Sequence, residues 1–333
     1  MIVTVTANPS LDLTYQLDDA NALADPAVEV HRARTASLEA SGKGVNVSRA
    51  LTLAGRPSSA VLFTGGATGR QMMDLLAAEK VPCRAVPQAG STRVNTTLLS
   101  PHGPTTKVNA PGITTTPDDC DNLVIAVDHE MITLSSETGH PHGHGPHWLL
   151  ICGSMPPGAD AADLIGRLVE RAHAHGWRVA VDSSGPGLRA GFDAGADLLA
   201  PNVAELAAVL GSILVPAGDL SSIADAAATE AARRGCELLI SMGADGALWT
   251  DGRHTRYARG PAVVPVNSAG AGDALLAGWF WADSGPEADP GQRLATAVAW
   301  GTASCLAPTT VAVATVPPTV DSVQVSDLLE APD

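Results

Sequence analysis

Aromatic residues are scarce in this chain: Trp, Phe and Tyr make up 3% of its 333 residues. A core has to be assembled largely from Ala, Val and Leu, which favours helices packed closely on a sheet. Positive charge is scarce as well, with 20 Lys and Arg against 35 Asp and Glu and a net charge of -15. That balance argues against general affinity for DNA, RNA or anionic membranes, although a few local cations can still govern an anionic small-molecule pocket. The cysteines, Cys83, Cys120, Cys152, Cys236 and Cys305, are odd in number and never fall in C-x-x-C spacing. They read as reduced thiols, not as a disulfide framework or a zinc site. No apolar run approaches the roughly 18 residues of a membrane span, and no basic-then-apolar leader opens the chain. These absences predict a soluble, cytoplasmic protein. A G-x-G-x-x-G turn after the first strand is also missing, which argues against a nicotinamide dehydrogenase.

What is present is a folding pattern. With 45% hydrophobic and 17% charged residues the chain is globular, and its length allows one large α/β domain or two smaller ones. Ile2 to Ala7 reads as a buried strand broken at Asn8-Pro9. Helical spacing at Val45 to Ala54 and at Gln71 to Glu79 brackets a strand at Ala60 to Phe63. Beyond Trp148 come strands at Leu149 to Cys152, Arg178 to Val181, Asp197 to Leu199 and Leu238 to Ser241. Between and after them come helices near Asp163 to His175, Val203 to Leu210, Ser222 to Arg234, Ala271 to Ala282 and Arg293 to Cys305. Such alternation predicts a mostly parallel sheet covered on both faces, with binding residues on loops at the carboxyl ends of the strands. Leu11 to Ser37 and Ser91 to Asn109 break the rhythm and predict a small antiparallel sheet projecting from the body, with Thr92 to Leu99 and Thr105 to Asn109 as a hairpin. Gly139 to His147 carries four His, which its Gly and Pro leave unorganised for a metal; it reads as a flexible surface loop.

The chemistry concentrates in Asn267-Ser268-Ala269-Gly270-Ala271-Gly272-Asp273, which leads into an apolar helix. Gly270 and Gly272 let backbone N–H groups turn toward one point, and the helix adds its positive dipole end, so the turn can seat a phosphate. A carboxylate is a poor phosphate ligand, and Asp273 beside that seat suits a proton acceptor for an attacking hydroxyl. An ordinary Asp in a first helical turn fits this heptapeptide equally well.

Further motifs follow other strands. Thr6 to Asp12 places Asp12 where it can accept hydrogen bonds from sugar hydroxyls, or simply close a turn. Ser41-Gly42-Lys43-Gly44-Val45-Asn46 is a Gly-rich turn into a helix in which Lys43 and Asn46 are donors. It is not a Walker A loop, and helix capping alone also accounts for it. Cys152-Gly153-Ser154-Met155-Pro156-Pro157-Gly158 and Asp182-Ser183-Ser184-Gly185 leave two more strands. Pro201-Asn202-Val203-Ala204-Glu205 follows the next, with Glu205 one turn into a helix and within reach of a magnesium-bound water. Ser241 to Gly246 offers a second Gly turn.

In this order the motifs resemble the ribokinase-like family of carbohydrate kinases, in the phosphofructokinase B group, over essentially the whole chain. Gly42 to Val47 (G-K-G-V-N-V) and Thr106 to Gly112 (T-K-V-N-A-P-G) are most similar to 1-phosphofructokinases, and tagatose-6-phosphate kinases share much of this. The resemblance implies one α/β kinase domain over 1–333, with lid segments at about 11–37 and 91–109 and a homodimer formed through the lid. It implies MgATP as phosphoryl donor, with room for a monovalent cation, and a sugar phosphate as acceptor. Asp273 would be the base, and Gly270, Ala271 and Gly272 the anion hole. Asp12, Gly42, Lys43, Asn46, Arg93, Lys107 and Ser154 would hold the sugar phosphate. Ser241, Gly243 and Gly246 would line the nucleotide site, and Asn202 and Glu205 would stand near magnesium. The implied reaction converts fructose 1-phosphate to fructose 1,6-bisphosphate. Fructose 6-phosphate or tagatose 6-phosphate is the alternative acceptor, and a sugar-phosphate-binding regulator the less favoured reading, because a binder needs no base. Three positions depart from the family pattern: Ala200 replaces a Lys expected near the ATP phosphates, Ser41 replaces a Gly, and Ala110 replaces a Glu.

Overall fold

A computed structural model describes residues 1–18, 30–100, 105–136, 146–210, 219–283, 285, 288–307, 309–311 and 320–330. The first half contains β1 (Ile2–Thr6), β2 (Ser10–Leu17), β3 (Ala33–Ser41), α1 (Lys43–Leu53), β4 (Ser58–Thr64), α2 (Gly66–Ala78), β5 (Cys83–Pro87), β6 (Arg93–Leu99), β7 (Thr105–Val108) and α3 (Pro117–Ser136). The second half contains β8 (Trp148–Cys152), α4 (Ala161–Ala174), β9 (Arg178–Asp182), α5 (Pro186–Ala194), β10 (Leu198–Leu199), α6 (Val203–Leu210) and α7 (Leu220–Arg234). It continues through β11 (Glu237–Ser241), β12 (Ala247–Thr250), β13 (His254–Arg259), α8 (Ala271–Trp281), α9 (Pro290–Cys305) and β14 (Gln324–Glu330).

Among the described residues, ten strands form the main sheet in the order β14-β13-β12-β11-β10-β9-β8-β1-β4-β5. Pairing is parallel from β5 through β11, and the last three strands add antiparallel. β1, β4 and β8 are buried along their whole length, as strands covered on both faces must be. Their alternating side chains feed two cores. Val3, Val5, Leu149 and Ile151 pack with Leu123 and Val127 of α3 and Leu164 and Leu168 of α4. Ile2, Trp148 and Leu150 instead join Val47 and Leu51 of α1, Trp279 of α8 and Leu294 of α9. Trp148 meets the Phe280 ring edge-on at 5.0 Å and donates its indole N–H to Asp283 at 2.8 Å. One of the few aromatics therefore pins the sheet to the helix that carries Asp273.

The expected strands and helices are present, and the structure adds elements that the pattern left unassigned: β5, α3, α5 and β12 to β14. α3 starts at a reciprocal cap in which Thr116 Oγ1 accepts from Asp119 N–H at 3.2 Å and Asp119 Oδ2 accepts from Thr116 N–H at 2.9 Å. Its buried stripe is Cys120, Leu123, Val124, Val127 and Met131.

A second sheet, β3-β2-β6-β7, projects from the body as the lid. Its outer pairs are antiparallel and its central pair, β2–β6, is parallel. β2 and β6 each follow a core strand of the parallel sheet, β1 and β5, and so leave the body in the same direction. β3 returns to the body through Gly42, whose φ of 121° suits glycine; a Cβ there would lie 2.8 Å from Thr6 Cγ2. The His-rich tract falls outside the described residues up to Gly145, and the His147 ring meets that of Trp177 at 4.9 Å with the planes tilted by 54°. All five cysteines are free, and no helix among the described residues is long and apolar enough to cross a membrane.

Candidate active site

The carboxyl ends of β1, β8, β9, β10 and β11 open into a cleft of about 490 Å³ roofed by the lid. Asn8, Ser154, Asp182, Asn202 and Ser241 stand at those strand ends, and Asp12, Asn95, Thr97 and Lys107 face them from the lid. The amino end of α8 closes one side with Gly270, Gly272 and Asp273. Gly270 takes a φ of 80° there, and a Cβ would run into the Thr310 carbonyl. The first-turn N–H groups of α8 have no intrahelical carbonyl to bond, so this end suits an anion.

Asp273 is 9% exposed. Burial raises its pKa to about 7, with the Asp182 charge acting the same way; the Asn46 hydrogen bond and the Lys43 charge oppose them. Asn46, on α1, donates from Nδ2 to Asp273 Oδ2 at 2.7 Å. Its own Oδ1 is buried with no hydrogen-bond partner among the described residues, an acceptor that a ligand hydroxyl could use. A carboxylate that titrates near neutrality at the mouth of an anion seat can take a proton and release it again.

Lys43 begins α1 and turns to the body. Its Nζ is 2.7 Å from Asp182 Oδ1 at the end of β9. Burial disfavours the ammonium, but the Asp182 charge and hydrogen bond, helped by Asp273 and Glu205, hold its pKa above the usual lysine range. Asp12 is held from three sides: Ser10 Oγ donates to Oδ1 at 2.7 Å, Ser41 Oγ to Oδ2 at 2.7 Å and Asn95 Nδ2 to Oδ1 at 3.0 Å. Ser41, at one of the divergent positions, is therefore a ligand of the lid carboxylate.

Arg93 lines the cleft, yet much of its guanidinium is engaged by backbone. Nη2 donates to the Asn8 carbonyl at 2.8 Å, Nη1 to that of Ala110 at 2.9 Å and Nε to that of Pro9 at 3.4 Å. Burial lowers its pKa, and the Asp12 charge works the other way. Lys107 is exposed on β7, and Ser154 is exposed beyond β8. Asn202 and Glu205 bond reciprocally, Asn202 N–H to Glu205 Oε2 at 2.9 Å and Glu205 N–H to Asn202 Oδ1 at 2.8 Å, which caps α6. Both also line the cleft. Among the described residues no three His, Cys, Asp or Glu side chains cluster as a metal cage. An amide and one carboxylate beside an anion seat nevertheless suit magnesium, which keeps its waters and takes few protein ligands.

The predicted residues Asp12, Gly42, Lys43, Asn46, Arg93, Lys107, Ser154, Asn202, Glu205, Ser241, Gly270, Gly272 and Asp273 thus share one cleft. Ala271, Gly243 and Gly246 are not among its lining residues. Gly243 and Gly246 form the tight turn between β11 and β12, where Gly246 packs against the Ala258 carbonyl. Asp182, Asn95 and Thr310 line the cleft without having been singled out as site residues. Asp182 could have been found from its place at a strand end; Thr310 has no local signature.

The profile of the pfkB family of carbohydrate kinases matches residues 5–307. A 1-phosphofructokinase of Rhodobacter capsulatus is 34% identical over 304 residues, covering 90% of this chain and 89% of its own length. The ATP-dependent 6-phosphofructokinase isozyme 2 of Escherichia coli is 30% identical over 280 residues, covering 83% of each chain. The crystal structure of Escherichia coli phosphofructokinase-2 in complex with substrates and products superposes with a TM-score of 0.81 at 27% identity, covering 94% of this chain and 95% of that one.

Proposed function

The chain belongs to the pfkB family of carbohydrate kinases, and is a phosphotransferase; from that premise we propose that it phosphorylates the C6 hydroxyl of fructose 1-phosphate with ATP. The observation that carries the reading is Asp273: a buried carboxylate with a pKa of about 7 beside the anion seat at the head of α8. The hydroxyl oxygen forms a bond to the γ-phosphorus while the bond from phosphorus to the β,γ-bridging oxygen breaks. ADP leaves with that electron pair, and the hydroxyl proton passes to Asp273.

Each neighbour has a task in this scheme. Asn46 fixes one oxygen of the base and leaves the other for the hydroxyl. Asp12, locked by Ser10, Ser41 and Asn95, accepts hydrogen bonds from the sugar ring. Lys107, the free donors of Arg93 and the Ser154 hydroxyl receive the phosphate already on the sugar. The turn at Gly270, Ala271 and Gly272 steadies the charge of the transferring group. Ser241, on the cleft wall, would border the nucleotide, with the Gly243–Gly246 turn following it in sequence outside the cleft lining. Asn202 and Glu205 would hold hydrated magnesium, which would supply positive charge to the phosphates. The exposed end of β3, from Ala33 to Ser37, suits contact with a second lid in a homodimer. A cytoplasmic setting accords with the acceptor.

The 30% identity to a 6-phosphofructokinase keeps fructose 6-phosphate as the alternative acceptor. ADP release measured with fructose 1-phosphate, fructose 6-phosphate, tagatose 6-phosphate and unphosphorylated sugars separates them. Fructose 1-phosphate should show a kcat/KM at least about tenfold above the others. A reversed preference would overturn the substrate and leave the kinase standing.

A further inference from the structure

Three cationic side chains line the cleft among the described residues, and they divide by location. Arg93 and Lys107 belong to the lid strands β6 and β7. Lys43 alone rises from the body, and it is turned away from the lid toward Asp182, at 2.7 Å. Its charge interacts with those of Asp273, in the first turn of α8, and Glu205, in the first turn of α6. The nucleotide's phosphates would therefore approach along the wall between the α8 turn and the Asn202–Glu205 cap, and Lys43 is the cation that faces it. Ala200, on that same wall, offers a methyl group where the family resemblance leads one to expect lysine.

Charge balance sharpens the point. Asp12, Asp182, Glu205 and Asp273 all line the cleft, and a triphosphate adds several more negative charges. A fixed positive charge beside the transferring group would offset that repulsion, in addition to the N–H groups of the α8 turn.

We propose that Lys43 is the cation of the phosphoryl-transfer step, compensating for the uncharged side chain at position 200, and not a clamp for the phosphate that the sugar already carries. Before the nucleotide binds, Asp182 holds the ammonium in place; when it binds, the ammonium shifts to the phosphate oxygens and Asp182 stays within reach. The inference rests on the kinase reading but not on which ketose phosphate is the acceptor. It also reverses the role that the G-K-G-V-N motif suggested for this lysine, because β9 and not the lid supplies its partner.

The test uses four forms of the full chain: wild type, Lys43→Met, Ala200→Lys and the double variant. MgATP affinity is measured by calorimetry without sugar, and steady-state constants with each sugar phosphate. Lys43→Met should weaken MgATP binding at least about tenfold and lower kcat about 100-fold, with KM for the sugar phosphate within about threefold of wild type. Adding Ala200→Lys to Lys43→Met should recover at least about tenfold of the lost affinity, and several times more than the same substitution gains in wild type. Lys43→Arg, which keeps the charge, should retain most of the MgATP affinity, and it serves if Lys43→Met folds poorly. A Lys43→Met enzyme with normal MgATP affinity and a much raised sugar-phosphate KM would overturn the proposal. Equal gains from Ala200→Lys in both backgrounds would overturn it too. If no sugar phosphate is a substrate, the calorimetry still decides the role of Lys43, so the two failures are distinguishable.

Discussion

Asn46 Nδ2 lies 2.7 Å from Oδ2 of Asp273, joining two buried residues 227 positions apart in sequence. Each belongs to the first turns of its helix, α1 or α8, and the two helices pack against each other. Helix packing therefore aims the carboxylate, and the amide dictates which of its oxygens stays available.

Replacing Asp273 with Asn keeps the size and removes the basicity. It also sets two amides face to face. kcat should fall about 10²- to 10⁴-fold, while KM for the sugar phosphate stays within a few-fold. A near-normal kcat in stopped or coupled assays would remove Asp273 from the role of base.

In the proposed role Asp273 acts only when deprotonated, so kcat/KM should climb as pH rises through about 7 and level off above it. Asn46 pulls that pKa down by stabilising the charged form. Asn46→Ala should therefore move the rising limb to higher pH. A limb that stays put, or shifts downward, contradicts the assignment.

Stability carries the same signature with the opposite trend. Asp273 titrates at about 7 in the fold against an ordinary value of 3.8, so the native state holds a proton that the unfolded chain has lost. Between those two values its contribution to stability declines as pH rises. Asp273→Asn lacks this loss. The Tm difference between variant and wild type should grow in favour of the variant from about pH 4 to pH 7, then stay constant.

Arg93→Ala removes both the half-buried guanidinium and its bonds to the Asn8, Pro9 and Ala110 carbonyls. KM for the sugar phosphate should rise at least about tenfold, with the ATP KM changed far less, because these loops frame the lid side of the cleft. A shift confined to the ATP KM would assign Arg93 to the nucleotide.

Local chemistry was legible from sequence because each motif is a short polar or Gly-rich run where one element gives way to the next, as at the head of α1, α6 or α8. Asp12, Asn46, Asn202 and Asp273 could be named that way. What escaped was pairing at a distance: Lys43 and Asp182 are 139 residues apart, and neither motif hints at the other. The Gly243 to Gly246 turn shows the converse, a conspicuous local motif whose backbone lies outside the cleft lining. Among the elements, α3 was obscured by exposed Ile125 and Ile132, at 65% and 50% exposure, which blur its apolar stripe. β10 has only two residues, too few to show a period, yet the strand–helix alternation placed a strand at Asp197 to Leu199, and it pairs with neighbours on both sides.

Ser41, Ser10 and Arg93 stand side by side in one row of the lid sheet, at the point where β3, β2 and β6 join the body. Any tilt of the sheet about that row acts as a lever with unequal arms. Asp12 is two residues out along β2, about 7 Å at roughly 3.3 Å per residue. Lys107 pairs with Thr97, which pairs with Thr14 four residues out, about 13 Å from the same axis. A given tilt carries Lys107 about twice as far as Asp12. On the proposed roles, the ring-side carboxylate is geared down relative to the phosphate-side lysine. Changes at Arg93, which makes no hydrogen bond to Asp12, should therefore alter tolerance for phosphate position before recognition of the ring, whereas Ser10 and Ser41 hold Asp12 directly and should affect both.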